Sequence, residues 1–195
     1  RNTERGGQQR LRTTKHLAGE DTTKTVHVEH GVELVVDVDA VYFSPRLSTE
    51  RARIANMVEA GEDVLVMFSG CAPYPCVIAE KSEAASITGV EINDAGHRLG
   101  VENVGRNGFE NRVSLHQGDV ADVVPGLGVF DRVVMPAPYN ATDYVDLGKR
   151  VVRDQGVLHV YAFVKNGDHK TFDELSVENT VVCGDRSPSE QRVCY

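Results

Sequence analysis

The chain has 195 residues, a formal net charge of −8, 41% hydrophobic residues and 26% charged ones, which suits one sizeable domain plus an extension and leaves room for a proper core. No apolar run approaches the ~20 residues that a membrane span needs, and Arg1-Asn2-Thr3-Glu4-Arg5 is no signal peptide. The four cysteines lack the short spacing of a metal site.

The chain does not open on Met, so it is expected to start inside a longer polypeptide. Residues 1 to 24 are polar, with Arg10, Arg12 and Lys15 forming a basic cluster. A solvated arm and a binding role both fit them. Thr25 to Glu29 alternates like a strand, His30-Gly31 supplies a turn, and Glu33 to Asp37 reads as the return strand of a hairpin. Val41-Tyr42-Phe43 is another short apolar piece, stopped by Ser44-Pro45. Ser48 or Thr49 can cap a helix over Arg51 to Val58, whose Ile54, Met57 and Val58 recur at helical spacing. Glu50 then falls in the first turn, where an acid complements the helix dipole. Arg46 precedes that helix in a loop.

The centre of the chain runs from Gly61 to Asn93. Val64 to Phe68 reads as a buried strand that breaks at the small residues Ser69-Gly70-Cys71-Ala72-Pro73. Val77 to Ala85 can form a helix, and Ile87 to Val90 a second strand closed by Glu91 and Asn93. Strand, small-residue loop, helix, strand and acid is the layout of a nucleotide-binding βαβ unit. The glycine admits a ligand close to the backbone, and the acid accepts hydrogen bonds from a ribose about 20 residues on. Neither Gly-x-Gly-x-x-Gly nor Gly-Lys-Ser/Thr occurs, so a pyrophosphate or triphosphate is poorly supported. A ribose ligand without a phosphate cradle points to S-adenosyl-L-methionine.

Beyond the unit, Ala95 to Asn107 reads as a helix and Val113 to His116 as a third strand, followed by Asp119. Asp119 can accept from an exocyclic amine such as adenine N6 or cap a helix, and the residues leave both open. Phe130 to Met135 is a fourth strand, ending in the rigid loop Pro136-Ala137-Pro138-Tyr139-Asn140. Ligands of open α/β sheets bind at such carboxyl ends. Tyr144 to Val152 is expected as a helix, Gly156 to Val164 as a fifth strand, and Val181 to Tyr195 as a closing hairpin. Cys71 and Cys76 read as buried thiols. Cys183 and Cys194 flank the hairpin and could face each other, though free thiols are the default.

Val41-Tyr42-Phe43-Ser44-Pro45-Arg46-Leu47-Ser48-Thr49-Glu50-Arg51 is the most specific block of a wider pattern. With Thr25 to Gly31, Met67-Phe68-Ser69-Gly70, Pro73-Tyr74, Val90-Glu91-Ile92-Asn93, Gly118-Asp119 and Asp131 to Met135, the chain resembles a known family. Its members are the archaeal and eukaryotic transferases that methylate N1 of the guanosine beside the tRNA anticodon. The resemblance covers about Arg10 to Val164 and the closing hairpin, while the family's amino-terminal tRNA-elbow domain has no counterpart in this sequence. It implies a Rossmann-like class I methyltransferase sheet with a small β-rich extension, divided here as 1–47 and 48–195. It also implies S-adenosyl-L-methionine as cofactor and tRNA as partner, in a cytoplasmic monomer.

Carried over residue by residue, the resemblance makes Glu50 the general base for guanine N1. Arg12, or failing that Arg10, would steady the base as charge shifts, and Pro136 stands where the target base is held. Phe68, Ser69, Gly70, Glu91, Ile92, Asn93, Asp119 and Val120 fall on cofactor-contacting positions, and Arg46 on the loop closing over the methionine end. The chain departs from the family pattern at Val66, where relatives carry an acid, and at Ala72, where they carry a second glycine. Its Pro136-Ala137-Pro138 replaces Asn-Leu-Pro. Two other readings are kept beside the first. One is the sister family that transfers the aminocarboxypropyl group in wybutosine synthesis, and the other a divergent paralogue that binds tRNA or cofactor without turnover. The negative net charge argues mildly against nucleic acid, but a local basic patch can coexist with it.

Overall fold

A computed structural model describes residues 14–139, 141–168, 170–172 and 175–195. The amino-terminal hairpin pairs β1 (Lys24–Glu29) with β2 (Val32–Asp37) antiparallel. His30 and Gly31 both take positive φ at the turn, the backbone that suits a two-residue connection to the right-handed twist of its strands. One face of β2 is apolar, with Val32, Leu34 and Val36 almost wholly buried.

The uninterrupted apolar run after Gly61 becomes the middle of a seven-stranded sheet, as expected of a strand covered on both faces. That sheet has the order β5-β4-β3-β6-β7-β9-β8. Its strands are β3 (Asp63–Met67), β4 (Ser86–Glu91), β5 (Val113–Gln117), β6 (Phe130–Met135), β7 (Val152–Lys165), β8 (Val181–Ser187) and β9 (Glu190–Cys194). The first five run parallel and β9 and β8 antiparallel. Helices α1 (Ser48–Ala55), α2 (Pro73–Lys81), α3 (Asp94–Arg106), α4 (Val120–Val123) and α5 (Val145–Val151) connect or cover them. Side chains alternate across the sheet. Val64, Val66, Val134 and Tyr161 join a core shared with the hairpin, α1, α2 and α3. Leu65, Met67, Val133 and Val160 join the core on the other face, with α5.

Several boundaries differ from the sequence reading. A single helical turn at Pro45–Leu47 leads directly into α1, so α1 starts at Ser48 with Leu47 in the cap position and no side-chain cap. Helix α2 starts at Pro73 rather than Val77. Proline reads as a breaker, yet its fixed φ and missing N–H suit the first helical turn. Strand β7 begins at Val152, with an irregular register before Val157.

Two buried polar side chains fix the hairpin against the sheet domain. Asn103 of α3 is fully buried. It accepts from the Val35 amide at 2.7 Å and donates to the carbonyls of Val35 and Cys71. Arg51 of α1 donates from Nε and Nη2 to the two Glu29 oxygens at 2.5 and 2.6 Å. Burial pushes the Glu29 carboxyl upward, but the bonds and charge of Arg51, helped by His27, outweigh it and hold the group below its ordinary range. At the opposite end of the sheet, Arg132 pairs with Glu62 at 2.7 Å and donates to His159 Nε2 at 2.8 Å. All four cysteines are free thiols, and burial pushes those of Cys71 and Cys76 up to about 12. Among the described residues no helix is long and apolar enough to cross a membrane.

Candidate active site

The carboxyl ends of β3, β4, β5 and β6 open onto a cavity of about 240 Å³. After β3 the backbone curls tightly, with positive φ at Phe68 (58°), Gly70 (58°) and Ala72 (60°). Gly70 takes this conformation freely, whereas Phe68 and Ala72 each bear roughly 1–2 kcal/mol of left-handed strain. The Ser69 amide donates to Val90 O at 2.9 Å, which fastens the curl to the end of β4. Gly89 makes room for it, since a Cβ there would meet Leu115 Cδ2 at 2.5 Å and Ser69 Oγ at 3.0 Å.

Glu91 ends β4 at the cavity wall. Its carboxylate accepts from the Gly70 amide and the Asn93 amide, both at 2.7 Å. Burial pushes the carboxyl above its ordinary range, against the pull of those two amides. The Ile92 amide adds to them, and since a carboxylate offers about four lone-pair sites, acceptor capacity still remains. Asn93 caps α3 through the Ala95 amide and donates to Ala40 O at 2.9 Å. It thereby ties down the segment that carries Val41, Tyr42, Phe43, Ser44 and Leu47 along the cavity. Asp119 caps α4, accepting from the Ala121 amide at 2.8 Å, and lines the cavity as well. The capping role left open by the sequence is therefore present, on a residue that also faces the cavity. Phe68, Ile92 and Val120 add apolar wall, and the Phe68 ring meets Tyr144 edge-on at 5.3 Å.

Of the residues expected at the site, Phe68, Ser69, Gly70, Glu91, Ile92, Asn93, Asp119, Val120 and Pro136 all lie on this one wall. Two others do not. Arg46 sits exposed on the turn Pro45–Leu47, away from the cavity. Arg51 reaches the cavity instead, stacked 5.2 Å from the Phe43 ring and donating to Ser44 O. Glu50 is only 5% exposed and is not part of the wall. Helix α1 turns Glu50, Arg51 and Ile54 inward together. Arg53 then grips both Glu50 oxygens at 2.7 Å, and the Tyr161 hydroxyl donates to Oε1 at 2.5 Å. The Tyr74 hydroxyl donates in turn to Tyr161 at 3.3 Å, and Tyr74 is a wall residue. The carboxylate thus sits behind the wall, joined to it by two phenols. Burial pushes both phenols, Tyr74 and Tyr161, well above their ordinary range. The corresponding expectation for Arg12, and Asn140 of the loop, lie outside the described residues.

Val66 is fully buried in the core between Gly89 and Val134 on the neighbouring strands, so no acid faces the cavity there. The wall also holds Tyr139, Tyr144 and Arg192, none of which the sequence reading assigned. Arg192 arrives from β9, and no local spacing could have placed it there.

A profile of the TRM5/TYW2 methyltransferase domain matches residues 25–181. The tRNA (guanine(37)-N(1))-methyltransferase Trm5b of Methanocaldococcus jannaschii is 38% identical over 169 residues, covering 86% of this chain and 48% of the relative. A tRNA(Phe) (4-demethylwyosine(37)-C(7)) aminocarboxypropyltransferase of Pyrococcus horikoshii is 31% identical over 145 residues, covering 74% and 51%. Among solved structures, the complex of aTrm5 with tRNALeu superposes with a TM-score of 0.88 at 31% identity, over 98% of this chain and 57% of that one. The chain spans about half the length of the curated relatives it matches. Matched by the profile over most of its length, on a fold that superposes on that of a solved relative, the chain belongs to the TRM5/TYW2 methyltransferase family.

Proposed function

We propose that the chain is the catalytic domain of a tRNA (guanine-37-N1)-methyltransferase that uses S-adenosyl-L-methionine, with residues 1–47 serving as a β-rich link to a tRNA-binding part. The observation that carries this reading is the Glu91–Gly70 hydrogen bond across the ends of β4 and β3. It holds a carboxylate with spare acceptor capacity beside a loop with no phosphate cradle. A ribose diol is the ligand chemistry that such an acceptor suits. Asp119 adds an acceptor at the end of β5, and Phe68, Ile92 and Val120 supply apolar surface for an adenine. The residues present therefore fit the cofactor, which when bound supplies a methyl group made electrophilic by a sulfonium.

The chain's own residues would prepare the acceptor. Guanine N1 is a weak acid and becomes a nucleophile as its proton leaves. The hydroxyls of Tyr74 and Tyr161 form a donor chain ending on Glu50. The N1–H bond breaks as Tyr74 takes that proton and passes its own to Tyr161. Tyr161 passes its own to Glu50, which ends protonated. The phenols need not ionise, and Glu50 acts as the base from behind the wall.

A paralogue that binds tRNA or cofactor without turnover is the second reading, motivated by Pro136, which offers no side-chain amide to a target guanine, and aminocarboxypropyl transfer is the alternative reaction. The mass of tRNA after incubation with S-adenosyl-L-methionine separates the possibilities: one added methyl supports the proposal, a larger amino-acid adduct supports the alternative reaction, and no change supports the second reading.

A further inference from the structure

Tyr139 lines the cavity from the loop after β6, yet it is 43% exposed. Every other tyrosine or phenylalanine of the wall (Tyr42, Phe43, Phe68, Tyr74 and Tyr144) is buried or half-buried. Tyr139 therefore stands at the rim. Its ring meets Phe163 of β7 edge-on, with centroids 4.8 Å apart. The Arg186 guanidinium of β8 lies 5.0 Å from the centre of the Tyr139 ring and 5.1 Å from that of Phe163. Arg186 Nη1 donates to Glu190 at 2.8 Å, which holds the guanidinium in place, while its side chain stays 42% exposed. The rim thus carries an aromatic ring and a planar cation, both fixed by packing and both partly open to solvent.

Sheet order puts this pair at the far end from the cofactor acids. Glu91 and Asp119 follow β4 and β5 on one side of β3, whereas Tyr139, Phe163 and Arg186 belong to β6, β7 and β8 on the other. A nucleotide that enters a recessed cavity must leave its stack, and each of its neighbours then loses a stacking partner. An aromatic face or a guanidinium plane can replace that partner. A ring at the rim rather than inside the cavity is placed for a neighbour of the modified base, not for the modified base itself.

We propose that Tyr139 and Arg186 form a stacking platform for the nucleobase directly 5′ or 3′ of the modified nucleotide in the RNA substrate. The inference rests on tRNA being the substrate and holds for either transferred group. Stacking tolerates sequence, because every base has a π-face, so the platform selects an unstacked, single-stranded neighbour rather than a particular base. Arginine suits the place better than lysine, since only its planar group can stack.

The test measures transcript affinity in the presence of S-adenosyl-homocysteine, for wild type, Tyr139→Ala, Tyr139→Phe and Arg186→Lys. Each is tried on the full tRNA transcript and on transcripts abasic at the 5′ or the 3′ neighbour of guanosine 37. Tyr139→Ala should keep a cooperative melt and the calorimetric affinity for S-adenosyl-homocysteine, and bind the full transcript roughly 5- to 150-fold more weakly. Tyr139→Phe, which keeps the ring, should bind like wild type. Arg186→Lys, which keeps the charge but loses the plane, should weaken binding as well. One of the two abasic transcripts should cost wild type a similar factor and cost Tyr139→Ala little more, because the stack is already gone. Wild-type transcript affinity in Tyr139→Ala overturns the inference, as does a penalty that adds in full to both abasic changes. Loss of S-adenosyl-homocysteine affinity in Tyr139→Ala also overturns it, since the ring would then serve the cofactor. A wild type that shows this coupling yet transfers no group to any tRNA fails the underlying reading of catalysis and leaves the platform standing, a distinct result.

Discussion

Replacing Glu50 by Gln and Tyr161 by Phe separates a base that works through two phenols from a carboxylate that only fastens α1. Glu50 accepts three hydrogen bonds, two from Arg53 and one from Tyr161. Gln keeps one acceptor oxygen and loses the charge, but the Arg53 side chain is 27% exposed, so water replaces part of what it loses. The net cost is that of about one charge-assisted bond, ~1.5–3 kcal/mol. For a domain of this size each kcal/mol lowers the melting midpoint by about 2–4 °C, so a fall of roughly 3–12 °C is expected. Tyr161→Phe leaves the Arg53 pair intact and removes one bond to the same carboxylate, so its melting loss should be similar. Single-turnover methylation, measured well below both midpoints, is where the two accounts part. If protons leave through Tyr74 and Tyr161, both variants slow the chemical step by roughly 10²–10⁴-fold. A Tyr161→Phe protein that melts lower yet methylates at the wild-type rate refutes the phenol path. If Glu50→Gln behaves the same way, Glu50 is a fastening residue only.

Glu91→Ala should weaken binding of S-adenosyl-homocysteine by the ~1.5–3 kcal/mol of a bond to a charged acceptor, measured by calorimetry; an unchanged affinity sinks the ribose assignment. Arg51→Met strands the buried Glu29 carboxylate and should cost about 3–5 kcal/mol of unfolding free energy. Adding Glu29→Met should recover most of that loss in a urea melt, and a strictly additive double variant would contradict the pairing. Burial, with Arg132 and Arg53 nearby, holds His159 down to about 3, so the folded state keeps it neutral while the unfolded chain binds a proton below its ordinary 6.5. Stability tied to this group is therefore present above pH 6.5 and falls as pH drops from there toward 3. His159→Gln, which can still accept from Arg132, should flatten that part of the wild-type stability–pH curve; identical slopes would refute the account.

The central βαβ unit was legible because its signals are local. An apolar run, a glycine and an acid at fixed spacing determine that Gly70 and Glu91 meet, and they do so through one hydrogen bond. The hairpin and the acids at successive strand ends follow from the same kind of pattern. What stayed hidden depends on distant partners. Nothing local distinguishes Arg51 from any other arginine near a helix start until Glu29 is seen against it. Arg192 reaches the cavity only because β9 pairs with β7 in an antiparallel register. Glu50 shows the same limit from the other side: its sequence block marks it for chemistry, yet Arg53 and Tyr161 decide that it lies behind the wall. The helix boundary at Pro73 was obscured because proline is read as a stop when it can also be a start.

Under the proposed function, this cavity directs a methyl group to N1 of guanosine 37. The direct measurement is nucleoside mass spectrometry of transcripts carrying guanosine or adenosine at that position, after incubation with the protein and S-adenosyl-L-methionine. The account predicts N1-methylguanosine from the first transcript and no new methylated nucleoside from the second. An aminocarboxypropyl adduct, or methylation that persists with adenosine at the position, would contradict it.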